Sequence, residues 1–323
     1  MWPGTRAARA VLPLAVLLLA LLGLIELGRR QRPPELYRLG LVAPFEGLHR
    51  ADGYAALEAV RARIQHWNQS YAAHGFQFQV WAVDDSNEPA LARLRAEELS
   101  TDPFVLAVIG HMTPETSAVA AGIYAEAGLL QVSPVPLAEL GADSSKLSAL
   151  SLAVAPDLLG CQLPAGDAEE VPPSLRYRWL HLPGDQLWPR DCPPGSAAAI
   201  AVDSTLPATI RHLLQSEDPA GRAALPYGYC PEALLRLFPS TMWLTVASHP
   251  EQDPGAGAVA SRAADLALSL ISEAAEGHLH RSSVLHQASL RAEAQGWHQY
   301  DGAHYPPLLS VYLVPCDLGV DAR

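Results

Sequence analysis

The residues able to do chemistry are easy to find in this chain, and their spacing rules most of that chemistry out. Five histidines crowd the C-terminal part, His278, His280 and His286 in "HLHRSSVLHQ" and His298 and His304 in "WHQYDGAHY". A metal site needs ligands that converge, as at i and i+4 on a helix. His278 and His280 are two apart and splay, and His298, Asp301 and His304 meet only in a loop that folds back on itself. Surface histidines and no metal are expected. Serine, histidine and aspartate are plentiful, but no G-x-S-x-G elbow presents a nucleophile. No P-loop and no G-x-G-x-x-G cradles a phosphate. No catalytic residue and no cofactor is therefore assigned, and the chain is not expected to be an enzyme. The four cysteines, Cys161, Cys192, Cys230 and Cys316, include no C-x-x-C pair. Four buried thiols or two disulfides in any of three pairings fit the count. Cys161 and Cys192 bracket the least regular stretch of the chain, where a cross-link restricts the unfolded state most usefully. That pairing is expected, with Cys230–Cys316 as the remainder.

The chain has 323 residues, a length suited to two domains or a bilobed unit. Apolar residues make up 49% of it, enough for a sizeable core. A net charge of −12 leaves no basic footprint for nucleic acid. The first residues are different in kind. Arg6 and Arg9 precede the apolar run "AVLPLAVLLLALLGLIEL", Ala10 to Leu27, and "GRRQRPP" follows. The run approaches the length that spans a bilayer, and no small-residue cleavage site precedes Arg29. An uncleaved signal anchor is expected, with a cleaved signal peptide as the alternative.

Beyond the linker the pattern turns regular. "LYRLGLVAP" reads as a buried strand. "GYAALEAVRARIQHWNQSYAAHG" carries apolar residues at helical spacing (Ala56, Val60, Ile64, Trp67) and ends at a glycine. "FQFQVWAVDD" alternates as a strand does, "EPALARLRAEELS" is an amphipathic helix, and "FVLAVIG", "PETSAVAAGIYAEAG" and "LLQVSP" continue as strand, helix and strand. This alternation predicts βαβ units and a parallel sheet with helices on both faces. After Pro134 the chain becomes rich in proline and glycine. Regular signal returns with "STMWLTVAS", the long helix "GAVASRAADLALSLISEAAEG", the helix "SSVLHQASLRAEA" and the closing strand "PLLSVYLVP".

Several stretches together, "LGLVAPFEG", "DDSNEPALARLRAEELS", "VLAVIGHMTPETSAVAAGIYAEAGLLQVSP", "AADLALSLISEA" and "GWHQYDGAHYPPLLSVYLV", resemble the branched-chain amino-acid-binding family of type I periplasmic solute-binding proteins. The resemblance is good over Leu36 to Pro134, weaker over Ala256 to Val314, and poor between. It implies an α/β fold of two Rossmann-like lobes with hinge crossings near Pro134, Ser248 and Tyr305. It implies a first lobe of residues 35–135 and 250–315, a shortened second lobe of 136–249, an anchor and linker of 1–34, and a tail of 316–323. It also implies a small-molecule ligand in the inter-lobe cleft, an ABC permease as partner, and a globular part outside the cytoplasmic membrane, tethered by Val11 to Leu27. Phe45 and Glu46, His111, Thr113, Glu115 and Pro136 fall where that family contacts ligand. Asp84 and Asp85 fall where the next helix is capped or the cleft rim shaped.

The departures from the family are chemical. Its members place a small hydroxyl residue early in the turn after "GH", and a small residue and a threonine after "SP", to hold an amino acid. Here the turn reads Thr113-Pro114-Glu115, and Val135, Pro136 and Leu137 follow the second motif. Proline has no N–H or hydroxyl, and Glu115 repels a carboxylate. Tight binding of leucine, isoleucine or valine is therefore not expected, and a neutral, cationic or more apolar ligand is. A degenerate fold serving as a sensor or protein-interaction domain is the alternative expectation.

Overall fold

The computed structural model describes residues 17–21, 34–70, 75–135, 137, 148–153, 222–225, 230, 232, 236, 242–247, 253, 255–275, 279–300, 303–305 and 312–316. Cys161, Cys192, Pro136 and His278 lie outside them. Residues 17–21 are helical and their leucines are exposed. Among the described residues no helix is long and apolar enough to cross a membrane.

The chain alternates from its first strand as its apolar periodicity requires. Strand β1 (Glu35–Ala43) leads to helix α1 (Arg50–Ser70), β2 (Phe76–Asp84), α2 (Pro89–Thr101), β3 (Val105–Ile109), α3 (Pro114–Glu126), β4 (Leu130–Ser133) and β5 (Ala149–Ser151). After β6 (Arg222–Leu225) and β7 (Met242–Ala247) come α4 (Ala256–Ala274), α5 (Arg281–Ala294), β8 (His298–Tyr300), β9 (Ala303–Tyr305) and β10 (Tyr312–Pro315). Among the described residues the strands form two sheets. One has the order β2-β1-β3-β4-β5-β9-β8, and the other β10-β7-β6. The pairings from β2 through β9 are parallel, and the β8–β9 pair is antiparallel. Strand β5, inside residues 136–249, lies in the first sheet, while β10, inside 250–315, pairs with β7 in the second.

Burial explains the sheet positions. Leu39 to Ala43 of β1 are all buried, as an inner strand covered on both faces requires. On edge strand β2, Phe76 and Phe78 are buried while Gln77 and Gln79 are exposed. One core joins α1, α4 and α5 to one face of the sheet, and a smaller one, with Leu99, Ala120 and Tyr124, joins α2 and α3 to the other.

Small residues bring α4 onto α1. Ala260, Ala263, Ala264 and Ala267 are buried, and a Cβ at Gly257 would stand 3.1 Å from the Ala55 carbonyl oxygen. Trp67 Nε1 donates to Ser272 Oγ across the same seam at 2.9 Å. At the amino edge of the sheet, the Arg281 guanidinium at the start of α5 donates to the carbonyls of Leu99, Ser100, Asp102, Val105 and Ala127. One side chain thereby caps carbonyls at the C-terminal ends of α2 and α3, where helix carbonyls lack a partner within the helix.

Cys230 and Cys316 form a disulfide with a Cα–Cα separation of 5.6 Å. Both cysteines are buried in the larger core, and Glu232 donates its backbone N–H to Asp52 Oδ1 in the first turn of α1 at 3.0 Å.

Candidate functional site

In a parallel sheet the strands' carboxyl ends lie on one edge, so the loops after β1, β2, β3 and β4 converge there. The loop after β1 is held from beneath. Asp84 Oδ1 accepts from the N–H groups of Phe45 (2.6 Å), Glu46 (3.2 Å) and Ser86 (3.2 Å), and its Oδ2 accepts from Ser86 Oγ at 2.7 Å. Burial by itself raises the Asp84 pKa. The bonds from Ser86, Phe45 and Glu46 outweigh it and hold the group below its ordinary value. The carboxylate is thus a brace for the loop. Above it Phe45 is half-buried and packs on Tyr54 with ring centroids 5.6 Å apart. Glu46 is exposed, and so are Leu48 and Tyr54, which give this corner an apolar rim.

The turn after β3 is built around a glycine that admits no side chain. Gly110 has φ +123°, and a Cβ there would lie 2.3 Å from the Val42 carbonyl oxygen. His111 follows it and is fully buried. Its Nδ1 is 2.6 Å from Asp85 Oδ2, and its Nε2 is 3.2 Å from the Tyr124 hydroxyl. Asp85, also fully buried, accepts the Asn87 N–H through Oδ1 at 3.0 Å. Burial, with the Asp85 charge second, pushes the Tyr124 pKa well above its ordinary value, so the phenol keeps its proton. The sequence expects His111 to contact a ligand, and in the structure its side chain is buried. The ring turns inward beneath the edge because a carboxyl group from the β2 end and a phenol from α3 engage both its nitrogens.

Thr113 is the N-cap of α3. Its Oγ1 accepts the Thr116 N–H at 3.4 Å and lies 2.7 Å from Thr116 Oγ1. Pro114 takes the first helical position and Glu115 lies in the first turn, half-buried. Thr116 and Ser117 are fully buried. Ser117 Oγ donates to the His111 carbonyl at 3.0 Å and stands 3.3 Å from Ser133 Oγ. The hydroxyls of Ser133 and Ser151 both donate to the Val135 carbonyl, at 2.9 and 2.8 Å. Gln131 Nε2 donates to the Gly110 carbonyl at 2.9 Å. Leu137 is buried, and its N–H donates to the Tyr305 hydroxyl at 2.9 Å while that hydroxyl donates to the Leu137 carbonyl.

Four positions named from the sequence, Phe45, Glu46, Thr113 and Glu115, thus reach the carboxyl edge with some exposure, and His111 does not. Sequence reasoning missed the polar column Gln131–Ser133–Ser151 beneath the turn. Its only signal was a glutamine and serines inside otherwise apolar strands. Among the described residues no group of three or more His, Cys, Asp or Glu side chains is arranged to hold a metal ion.

No protein-family model matches the sequence, and no curated protein matches it significantly. Solved structures do match its fold. A possible leucine/isoleucine/valine-binding protein from Rhodopirellula baltica superposes with a TM-score of 0.61 at 13% identity, over 87% of this chain and 94% of that one. A fatty acid ABC transporter substrate-binding protein from Thermomonospora curvata gives 0.59 at 11% identity, over 89% and 91%. A branched-chain amino acid transporter substrate-binding protein from Streptococcus pneumoniae, in complex with isoleucine, gives 0.56 at 14% identity, over 87% and 100%. At these identities the likeness is one of fold, and the fold is that of the type I periplasmic solute-binding proteins.

Proposed function

We propose that this chain is an extracytoplasmic solute-binding protein of an ABC-type transport system. It holds a small molecule at the carboxyl edge of the first sheet and acts by binding, not catalysis. The observation that carries this reading is the fold, shared along most of the chain with substrate-binding proteins of such systems. Hinge closure of two lobes would trap the ligand, which would pass to a permease. The apolar run Val11 to Leu27 would tether the protein to the membrane with its globular part outside, and the exposed leucines at 17–21 suit a lipid surround.

The ligand's character follows from the edge. Glu115 brings negative charge to the helix terminus that would otherwise attract an anion. The Thr113 hydroxyl is engaged as a cap, and Leu137 is buried and apolar. Phe45, Leu48 and Tyr54 offer apolar surface instead. A neutral or cationic ligand, or one with a large apolar body, fits this set. Titration calorimetry on Phe45→Ala against the parent, with a compound that stabilises the parent, tests the site. Loss of affinity supports the edge, and unchanged affinity places the ligand elsewhere.

A second reading, a sensor or protein-interaction domain that has lost its solute, is favoured by one observation. Ser117, Ser133, Ser151 and Gln131 donate to the site's own carbonyls instead of presenting donors to a ligand.

A further inference from the structure

Strand β2 ends the seven-stranded sheet, so one side of it pairs with β1 and, among the described residues, no strand lies along the other. An unpaired strand edge is a template for another chain, and such edges are managed by charge, bulges or cover. This edge has a specific cover. Asn68, near the end of α1, donates Nδ2–H to the Phe78 carbonyl and accepts the Phe78 N–H on Oδ1, both at 2.9 Å. A primary carboxamide presents an N–H donor and a carbonyl acceptor side by side on one edge, as a residue of a neighbouring strand presents its own N–H and C=O. The Asn68 side chain therefore makes the two bonds that a neighbouring strand would make at this rung. Phe78 is the middle of the alternating segment Phe76 to Val80, with its own ring buried and Gln77 and Gln79 exposed on either side. The groove alongside is open and lined by polar side chains from α1, among them Arg61, Gln65 and Gln69.

We infer that Asn68 is an edge stop, which blocks the outer side of β2 from pairing with the β2 of a second copy of this chain. Pairing of two copies about Phe78 would be antiparallel and symmetric, with Gln77 of one opposite Gln79 of the other. Both exposed side chains are uncharged and offer no repulsion, so the block rests on the Asn68 amide.

The test is sedimentation of the full chain in detergent micelles over a wide concentration range. Asn68→Ala is expected to double the protein mass per particle as concentration rises, while the parent stays at one copy. Adding Gln77→Lys and Gln79→Lys to Asn68→Ala sets like charges opposite each other and is expected to restore the single copy. A single copy for Asn68→Ala at every concentration overturns the inference. So does a dimer that survives the two lysines, since its contact then lies elsewhere, and so does a parent that already pairs through β2. Amide exchange of the parent serves even where the alanine variant folds poorly. Slow exchange of the Phe78 N–H supports the stop, and exchange as fast as an exposed loop amide contradicts it.

Discussion

Asp84 and Asp85 are adjacent, and their carboxyl groups brace different loops. Asp84 collects the N–H groups of the β1–α1 loop, whereas Asp85 reaches under the β3 end to His111. Asp84→Ala frees three backbone N–H groups and one hydroxyl and is expected to lower stability by ~1–2 kcal/mol, read from urea unfolding. Its pH signature has a definite sign. The folded pKa lies below the ordinary 3.8, so the contribution is complete above the unfolded value and is lost as pH falls through the folded one. Asp84→Asn should flatten the acid loss of stability below pH ~4 and leave the neutral range with the same slope. His111→Ala leaves Asp85 and Tyr124 buried without the ring between them and should cost about 3 kcal/mol or more in the same assay. At the same scale, Pro114, Glu115 and Leu137 remove the donors an amino-acid carboxylate needs. Calorimetry with leucine, isoleucine and valine should show no tight binding, and micromolar affinity would mean that other residues supply the clamp.

At the scale of elements, the sequence periodicity located most of what the structure describes. "FQFQVWAVDD" became β2 and "EPALARLRAEELS" became α2, because alternation and 3.6-residue spacing are local properties. The hairpin of β8 and β9 is not legible in "WHQYDGAHY", because each strand has only three residues. The direction of the His111 ring was also illegible. It depends on Asp85 and Tyr124, which come from two other elements and meet the ring only when the sheet is assembled. The Cys230–Cys316 pair was expected as a remainder, and its geometry shows it to be a staple between the segment at α1 and the end of β10. In the chain-entropy account a loop with an 86-residue separation contributes on the order of 4–5 kcal/mol. Cys230→Ser should lower the unfolding midpoint accordingly. His304, in β9 beside β5, has its pKa lowered by burial. The unfolded chain therefore binds its proton more readily, and this part of the stability is lost as pH falls below the ordinary 6.5. His304→Gln should make stability less dependent on pH in that range.

For the whole molecule, the account rests on one claim, that a chain with this fold still takes a solute at the carboxyl edge of its first sheet. The loops there are braced by hydrogen bonds, and the rim is more apolar than an amino-acid clamp requires. The most direct measurement is a thermal-shift panel on the full chain, covering branched-chain amino acids, amines, neutral polar compounds, aromatic compounds and fatty acids. A ligand at a hundred times its Kd adds about 2.7 kcal/mol, enough to raise the midpoint by roughly 4 °C in a protein of this size. The account predicts such a shift with at least one amine, neutral or strongly apolar compound and none with leucine, isoleucine or valine. A panel in which only the branched-chain amino acids stabilise the protein, or in which nothing does, would contradict it.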